Sequence, residues 1–119
     1  DFRQPLAYER TRELLALPDR PTAIFASNDI SAFGVMDAVR DAGLRIPDDI
    51  SVIGFDDIPN ARNTNPPLTT VRQPMEDMGR LAAHMLFEFI ADPRRDVERI
   101  ELPTELIIRS TCRPLNSGQ

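Results

Sequence analysis

Apolar residues occur along this chain in two different patterns, as short continuous runs and at helical spacing. Short apolar runs at Thr22–Ala26 and Ser51–Phe55 have the length of strands. Between them, Ile30–Ala42 places apolar residues every three to four positions, as a helix does, and Gly43-Leu44 is typical of a helix end. A strand, a helix and a second strand at this spacing predict a right-handed βαβ unit. Since neither run alternates with polar residues, the pattern favours a parallel sheet whose strands are buried on both faces.

Two more helices and three extended segments are predicted around this unit. Periodic apolar positions indicate helices at Pro5–Leu17 and Met75–Ile90. The second has the broader apolar stripe, which consists of Met75, Met78, Leu81, Ala82, Met85, Leu86, Phe89 and Ile90. Extended segments are predicted at Leu68–Arg72, Arg99–Leu102 and Glu105–Ser110, and a polar connector at Asn60–Pro67.

Composition excludes several classes of function. The 119 residues suit one small domain, and because the chain begins at Asp1 without a methionine, we expect it to be a piece of a longer protein. All 14 basic residues are arginines and the net charge is −5, which argues against lysine chemistry and against a nucleic-acid surface on this segment. The lone Cys112 fits a reducing compartment, and the lone His84 cannot build a multi-histidine zinc site. No apolar run reaches the length of a membrane span.

Polar side chains follow both strands of the predicted βαβ unit. Asn28 and Asp29 come after the first strand, and Asp56 and Asp57 come after the second. In open α/β sheets, ligands bind outside the carboxyl ends of the strands, where these residues are expected to meet. Carboxylate oxygens and one amide suit a neutral molecule rich in hydroxyl groups better than an anion.

Structural roles compete with ligand binding at each of these residues. Asp29 is predicted to be the N-cap of the following helix, Asn28 either caps the helix or bonds the turn, and Asp57 supports a turn. Asp56 directly follows a buried strand and needs hydrogen-bond donors, so a ligand and a structural partner both remain open for it. A metal site or a catalytic pair on Asp56 and Asp57 is the rival hypothesis. No metal-binding loop or nucleophile accompanies them, so we expect no metal, no cofactor and no catalytic residue.

Several separated motifs together resemble one protein family. The segments "PTAIFASNDISAFGVMDAVRDAGLRIPDDISVIGFDDIPNA…PPLTTVRQPMEDMG" and "LPTELIIRSTCRP" are similar to the C-terminal part of the effector-binding core of LacI/GalR-type bacterial transcriptional regulators. The resemblance implies an α/β, partial periplasmic-binding-protein-like type I fold, with a parallel βαβ sheet flanked by helices. It assigns residues 1–67 and 98–114 to a truncated C-terminal lobe, and residues 68–97 to a crossover strand and one helix of the other lobe.

The same resemblance implies a function. Regulators of this kind bind a small sugar-like or nucleoside-like effector between two lobes, which allosterically controls operator DNA binding by a separate headpiece. This sequence contains neither the headpiece nor the N-terminal lobe, so contact with DNA is expected only through the missing part. The match assigns effector binding to Asp56 and Asn28, and leaves Asp29 as a cap and Asp57 as support. It further implies a cytoplasmic homodimer that is not an enzyme and has no membrane partner.

Two alternatives and one packing expectation accompany this interpretation. A periplasmic sugar-binding protein of an ABC transporter shares the fold and part of the motif spacing, and a metal-dependent hydrolase using Asp56 and Asp57 is the third class. The apolar stripe of Met75–Ile90 lacks its partner lobe here. It is expected to pack against a second copy of the chain instead of folding back onto its own sheet. Phe33 is expected either in the core or at a second interface.

Overall fold

The computed structural model describes residues 3–115 and contains two small sheets and three α-helices. In chain order the elements are α1 (Arg3–Leu15), β1 (Ala23–Phe25), α2 (Asp29–Asp41), β2 (Ser51–Ile53), a 3-10 helix (Pro59–Asn63), β3 (Thr70–Arg72), α3 (Met75–Ala91) and β4 (Glu105–Ile107). Strands β1 and β2 pair in parallel, with Ile24 opposite Val52, which confirms the predicted strand–helix–strand unit. Strands β3 and β4 pair antiparallel, with Val71 opposite Leu106.

Helix α2 ends as its sequence predicts. Gly43 takes a φ of 76°, a left-handed conformation that costs a glycine little. Its N–H donates to the Arg40 carbonyl at 2.9 Å, and the N–H of Leu44 donates to the Val39 carbonyl at 3.1 Å. This pair of bonds is a Schellman motif, which satisfies the last helix carbonyls while Leu44 turns back onto the core.

The hydrophobic core lies between α2, β2 and the segment that leads into β3. Its buried members are Ala26, Ala32, Val35, Met36, Val39, Ile50, Val52, Ala61 and Leu68. Phe33 is partly buried and packs against this cluster, in keeping with the core role considered for it. Helix α1 covers the other side of α2, and at Gly34 the two helices come so close that a Cβ would meet the backbone of Gln4. The core therefore fixes the position of α2, whose N-terminus lies at the rim of the sheet.

Two expectations from the apolar pattern are wrong. Strand β1 is not buried on both faces, because Phe25 is 64% exposed. Residues 99–102 form no strand; instead Ile100 and Leu102 line a cleft with Leu81 and Met85 of α3. Their apolar side chains therefore cover part of a helix and do not pair with a sheet.

Helix α3 stands apart from the core. None of its residues is buried, and Leu86 and Ile90 are 59% and 66% exposed. The described chain extends over 60 × 31 × 26 Å, with a radius of gyration of 18.5 Å against about 13–14 Å for a compact chain of this length. Since Leu68 and Thr70 are both fully buried, the chain leaves the core only after Thr70. The division into lobes at residue 68 stays a prediction.

Candidate functional site

The rim of the parallel sheet brings the two predicted polar segments side by side. The Asp29 N–H donates to the Phe55 carbonyl at 2.9 Å, and the Ala26 N–H donates to the Ile53 carbonyl at 2.8 Å. These bonds join the start of α2 to the loop that follows β2. The carboxyl ends of β1 and β2 thus form one edge, as the parallel pairing requires.

Asn28, and not Asp29, is the N-cap of α2, which corrects the sequence-based assignment. Asn28 has extended backbone angles, and its side-chain oxygen accepts from the Ser31 N–H at 2.8 Å. Asp29 is the first helical residue and is completely buried. Three potential caps occur in a row at Ser27–Asp29, and only tertiary contacts decide which one is used.

The buried carboxylate of Asp29 connects three parts of the fold. Its Oδ2 accepts from the Ile58 N–H at 2.8 Å, and its Oδ1 accepts from the Thr70 hydroxyl at 2.6 Å. A Cβ at Gly54 would clash with this Oδ1, so glycine there leaves the space that the carboxylate fills. Asp29 therefore holds the loop after β2 and strand β3 against the start of α2.

Asp56 and Asp57 form a turn with two successive positive φ angles. The φ of Asp56 is 121° and that of Asp57 is 61°. Aspartate tolerates the left-handed region better than most residues, but φ near 120° is sparsely populated and strained even so. The turn therefore directs the two carboxylates to different surroundings. The Asp56 Oδ1 accepts from Gln73 Nε2 at 2.6 Å, and this is the hydrogen bond that the described residues give to its side chain.

The Asp57 side chain is only 2% exposed and lies between two guanidinium groups. Arg72 Nε donates to Asp57 Oδ2 at 2.7 Å. Arg109 Nη2 lies 2.7 Å from Oδ1, at ion-pair distance. Arg109 also donates to the Leu68 carbonyl at 2.9 Å. We call Asp57, Arg72 and Arg109 the Asp57 ion cluster.

The ion cluster changes the acidity of Asp57. Burial alone raises the pKa of this carboxyl, but the hydrogen bond from Arg72 and the positive charge of Arg109 outweigh it. The pKa of Asp57 therefore lies below its ordinary value. The folded state favours the charged form of this side chain more strongly than the unfolded state does.

The lowered pKa of Asp57 predicts how the stability of the protein changes at acidic pH. Above the ordinary aspartate pKa of about 3.9, the cluster contributes its full stabilisation, which is lost as the pH falls through the lower pKa of the folded state. We expect Asp57→Asn to lower the free energy of unfolding by about 1–3 kcal/mol at pH 7. This difference should stay constant down to about pH 5 and shrink below about pH 4. Urea unfolding of both proteins between pH 7 and pH 3 measures it. The exposed carboxylate variant Asp77→Asn is the control, and an Asp57→Asn difference that grows toward pH 3 would contradict the sign.

The predicted site residues are only partly gathered in one place. A shallow cleft is lined by Phe25, Ser27 and Asn28 together with residues of α1, and Asp56 is not among its lining residues. Sequence reasoning did not select Gln73, Arg72 or Arg109, whose contacts with the aspartates span 15 residues or more. One pattern in the sequence could have pointed to Arg72. Residues 70 and 72 fall on the same face of β3, and both contact a carboxylate of the rim.

The acidic residues of the described chain do not form a metal site. Within residues 3–115, no three His, Cys, Asp or Glu side chains converge in a group able to hold a metal ion. The carboxylates of the rim instead accept hydrogen bonds from the Thr70, Arg72 and Gln73 side chains of the protein itself. No helix in the same range has the length and apolar character needed to cross a bilayer.

A family model and a curated relative both match nearly the whole chain. The model of the periplasmic binding protein-like domain family matches residues 1–112. The HTH-type transcriptional repressor PurR of Photobacterium profundum is 42% identical over 116 residues, which cover 98% of this chain and 35% of the repressor. The chain thus spans about a third of that relative's length.

Two solved structures share the fold. A LacI family transcriptional regulator from Enterococcus faecalis V583 with bound ribose superposes with a TM-score of 0.88 at 38% identity, covering 95% of this chain and 42% of that one. The lac repressor dimer bound to operator and the anti-inducer ONPF has a TM-score of 0.81 at 32% identity, with coverage of 89% and 37%.

The chain belongs to the periplasmic binding protein-like domain family. Within that family it is a fragment of the effector-binding core of LacI/GalR-type transcriptional regulators, as the sequence motifs predicted. The fold prediction is likewise confirmed: the chain is a partial periplasmic-binding-protein-like α/β domain with a parallel sheet and flanking helices.

Proposed function

We propose that this chain forms half of an effector site in a bacterial regulator, and that Asp56 and Asn28 contact a small sugar-like or nucleoside-like molecule. The effector is bound between this rim and a second lobe, and its binding controls attachment of a separate headpiece to operator DNA. The regulator acts in the cytoplasm as a homodimer and is not an enzyme. The similarity to ligand-sensing repressors and to a ribose-bound regulator supports this proposal.

The position of Asp56 carries the proposal. Its carboxylate stands at the carboxyl end of a parallel strand, held from one side by Gln73, and only its Oδ1 accepts a hydrogen bond from the described residues. Oδ2 is therefore left to accept from a ligand hydroxyl. A hydrogen bond to a charged acceptor of this kind contributes about 1.5–3 kcal/mol. Gln73 lies two residues before α3, so the residue that orients Asp56 also leads to the helix assigned to the other lobe.

Asn28 has a more limited part in this site. Its side-chain oxygen is engaged by the Ser31 N–H, so the group that remains for a ligand is the amide Nδ2. Within residues 3–115, that group donates one long hydrogen bond of 3.4 Å, to the neighbouring Ser27 hydroxyl. Asn28 would thus donate to a ligand oxygen while Asp56 accepts from a ligand hydroxyl. A donor and an acceptor together suit a sugar, whose hydroxyl groups do both.

Neither alternative class is favoured. The relatives are transcriptional repressors and regulators, which does not support a transporter component. A hydrolase using Asp56 and Asp57 would need both carboxylates near a substrate, whereas Asp57 is enclosed between Arg72 and Arg109.

Calorimetry on the full-length protein tests the proposal, with ribose, cellobiose and inosine as probes. We expect at least one probe to bind the unmodified protein. Asp56→Ala should then weaken its binding about tenfold or more, because 1.4 kcal/mol corresponds to a factor of ten. Asp77→Ala, an exposed carboxylate on α3, is the matched control and should leave affinity unchanged. Equal affinities for the unmodified protein and Asp56→Ala would remove Asp56 from the site.

A further inference from the structure

The turn at Asp56 and Asp57 is strained, so something in the structure must hold it. Two successive non-glycine residues with positive φ persist only where surrounding contacts over-determine the backbone. Among the described residues, backbone groups of the turn make three hydrogen bonds: the Asp56 N–H donates to the Val71 carbonyl at 2.8 Å, the Gln73 N–H donates to the Asp56 carbonyl at 3.4 Å, and the Ile58 N–H donates to the Asp29 carboxylate at 2.8 Å. Gln73 also holds the Asp56 side chain at 2.6 Å. Asp57 lies between Asp56 and Ile58, and its enclosed side chain adds contacts from Arg72 and Arg109.

The Asp57 ion cluster connects this turn with both strands that lead to and from α3. Arg72 is the last residue of β3, and Arg109 follows β4 by two residues. Arg72 also approaches Glu105 of β4 at 3.7 Å, and Arg109 donates to the Leu68 carbonyl just before β3. The Asp57 carboxylate is therefore contacted by one guanidinium from β3, which leads to α3, and by a second from the segment that follows β4.

We propose that Asp57 is a positioning residue, which fixes the strained turn and the direction of the Asp56 carboxylate through its contacts with Arg72 and Arg109. This inference rests on the proposed effector role of Asp56 for its functional meaning, and on the ion cluster for its structural content. Asp57 does not contact the effector. It transmits the relative position of β3 and β4 to the residue that does.

The geometry distinguishes this role from simple stabilisation. Asp49 offers a comparison, because its carboxylate also pairs with an arginine side chain, Arg45 at 3.4 Å, and in addition accepts the Arg45 backbone N–H at 2.8 Å. It supports the turn at residues 45–49, away from β3 and β4. If Asp57 and Asp49 only added to the global stability of the protein, removing either carboxylate would speed amide exchange in the same parts of the structure. If Asp57 positions its own turn, each variant should loosen only its own surroundings.

Amide hydrogen exchange on the full-length protein tests this, with Asp57→Asn and Asp49→Asn compared under conditions where both stay folded. The reporters are the N–H groups of Asp56 and Ile58, which are hydrogen-bonded across the turn. We expect Asp57→Asn to speed their exchange at least tenfold while the α2 core amides change much less. Asp49→Asn should leave the turn unchanged and speed exchange of the Ile50 N–H, which bonds within its own turn. Arg109→Gln and Arg72→Gln should each reproduce part of the Asp57→Asn effect.

Two results would overturn the inference. One is unchanged exchange at Asp56 and Ile58 in Asp57→Asn, and the other is a rise equal to that of the α2 core amides. Titration with the same three probes gives a second arm, in which Asp57→Asn should weaken any observed binding about threefold to tenfold, less than Asp56→Ala does. If no probe binds the unmodified protein, it is the proposed effector class that fails, and the exchange pattern still decides whether Asp57 holds the turn.

Discussion

Gly34→Ala is expected to cause a large loss of stability. A Cβ at this position would lie well inside contact distance of the Gln4 carbonyl oxygen and 3.1 Å from the Tyr8 backbone nitrogen. Both are backbone atoms of α1, so no side-chain rotation relieves the clash. Overpacking of this kind costs about 1–3 kcal/mol, and the upper part of that range applies where two helices must separate. Thermal and urea unfolding of the full-length protein measure the loss.

A second glycine in a helix provides the matched control. Gly79 lies inside α3, and a Cβ there would meet nothing within 4 Å. Since alanine favours a helix over glycine by about 1 kcal/mol, Gly79→Ala should leave stability unchanged or raise it. The two variants make the same chemical change with opposite expected signs. A Gly34→Ala protein as stable as the unmodified one would mean that α1 and α2 are not in such close contact.

Asp29→Ala is the other change with a large expected effect. It would leave the Ile58 N–H and the buried Thr70 hydroxyl without their acceptor. Each unsatisfied buried group costs about 1–3 kcal/mol, so we expect a total loss of about 2–5 kcal/mol. Urea unfolding measures this loss. The rim should also become looser, since Asp29 holds both the loop after β2 and strand β3.

The asparagine variant separates shape from hydrogen bonding at the same position. In Asp29→Asn the amide oxygen can still accept from the Ile58 N–H, and the amide NH₂ can donate to the Thr70 oxygen if that hydroxyl rotates. We therefore expect Asp29→Asn to cost less than Asp29→Ala. Thr70→Val should cost about 1 kcal/mol alone. Asparagine and alanine variants of equal stability would show that the two hydrogen bonds matter little.

Local patterns predicted most of the secondary structure. The predicted limits of the three helices fall within two residues of the observed ones. Gly43-Leu44 ends α2 through bonds that depend only on nearby residues. The segment 99–102 shows the limit of this approach. An apolar run of strand length carries no information on whether it will pair with a strand or cover a helix.

The site was less accessible to sequence reasoning, for a physical reason. Ser27, Asn28 and Asp29 are all suitable caps in the sequence. The Asp29 carboxylate is engaged instead by the Ile58 N–H and by Thr70, which lies 41 residues away. The partners of Asp56 and Asp57 likewise come from segments that only the fold brings near. Position after the two strands supplied the four polar residues of the rim as candidates, the resemblance singled out Asp56 and Asn28, and their effector roles stay predictions. It gave no reason to expect that Asp57 would be enclosed by two arginines.

The antiparallel pairing of β3 and β4 also has a consequence for how the chain is assembled. Arg72 lies directly opposite Glu105, so the 32 residues between them begin and end at neighbouring backbone positions. Topologically, α3 with its flanking segments is an insertion into an otherwise continuous domain. A tight two-residue hairpin turn in its place would join β3 to β4 without altering the path of either strand. The same adjacency lets residues 74–104 vary in sequence while Gln73, which bonds Asp56, keeps its place beside β3.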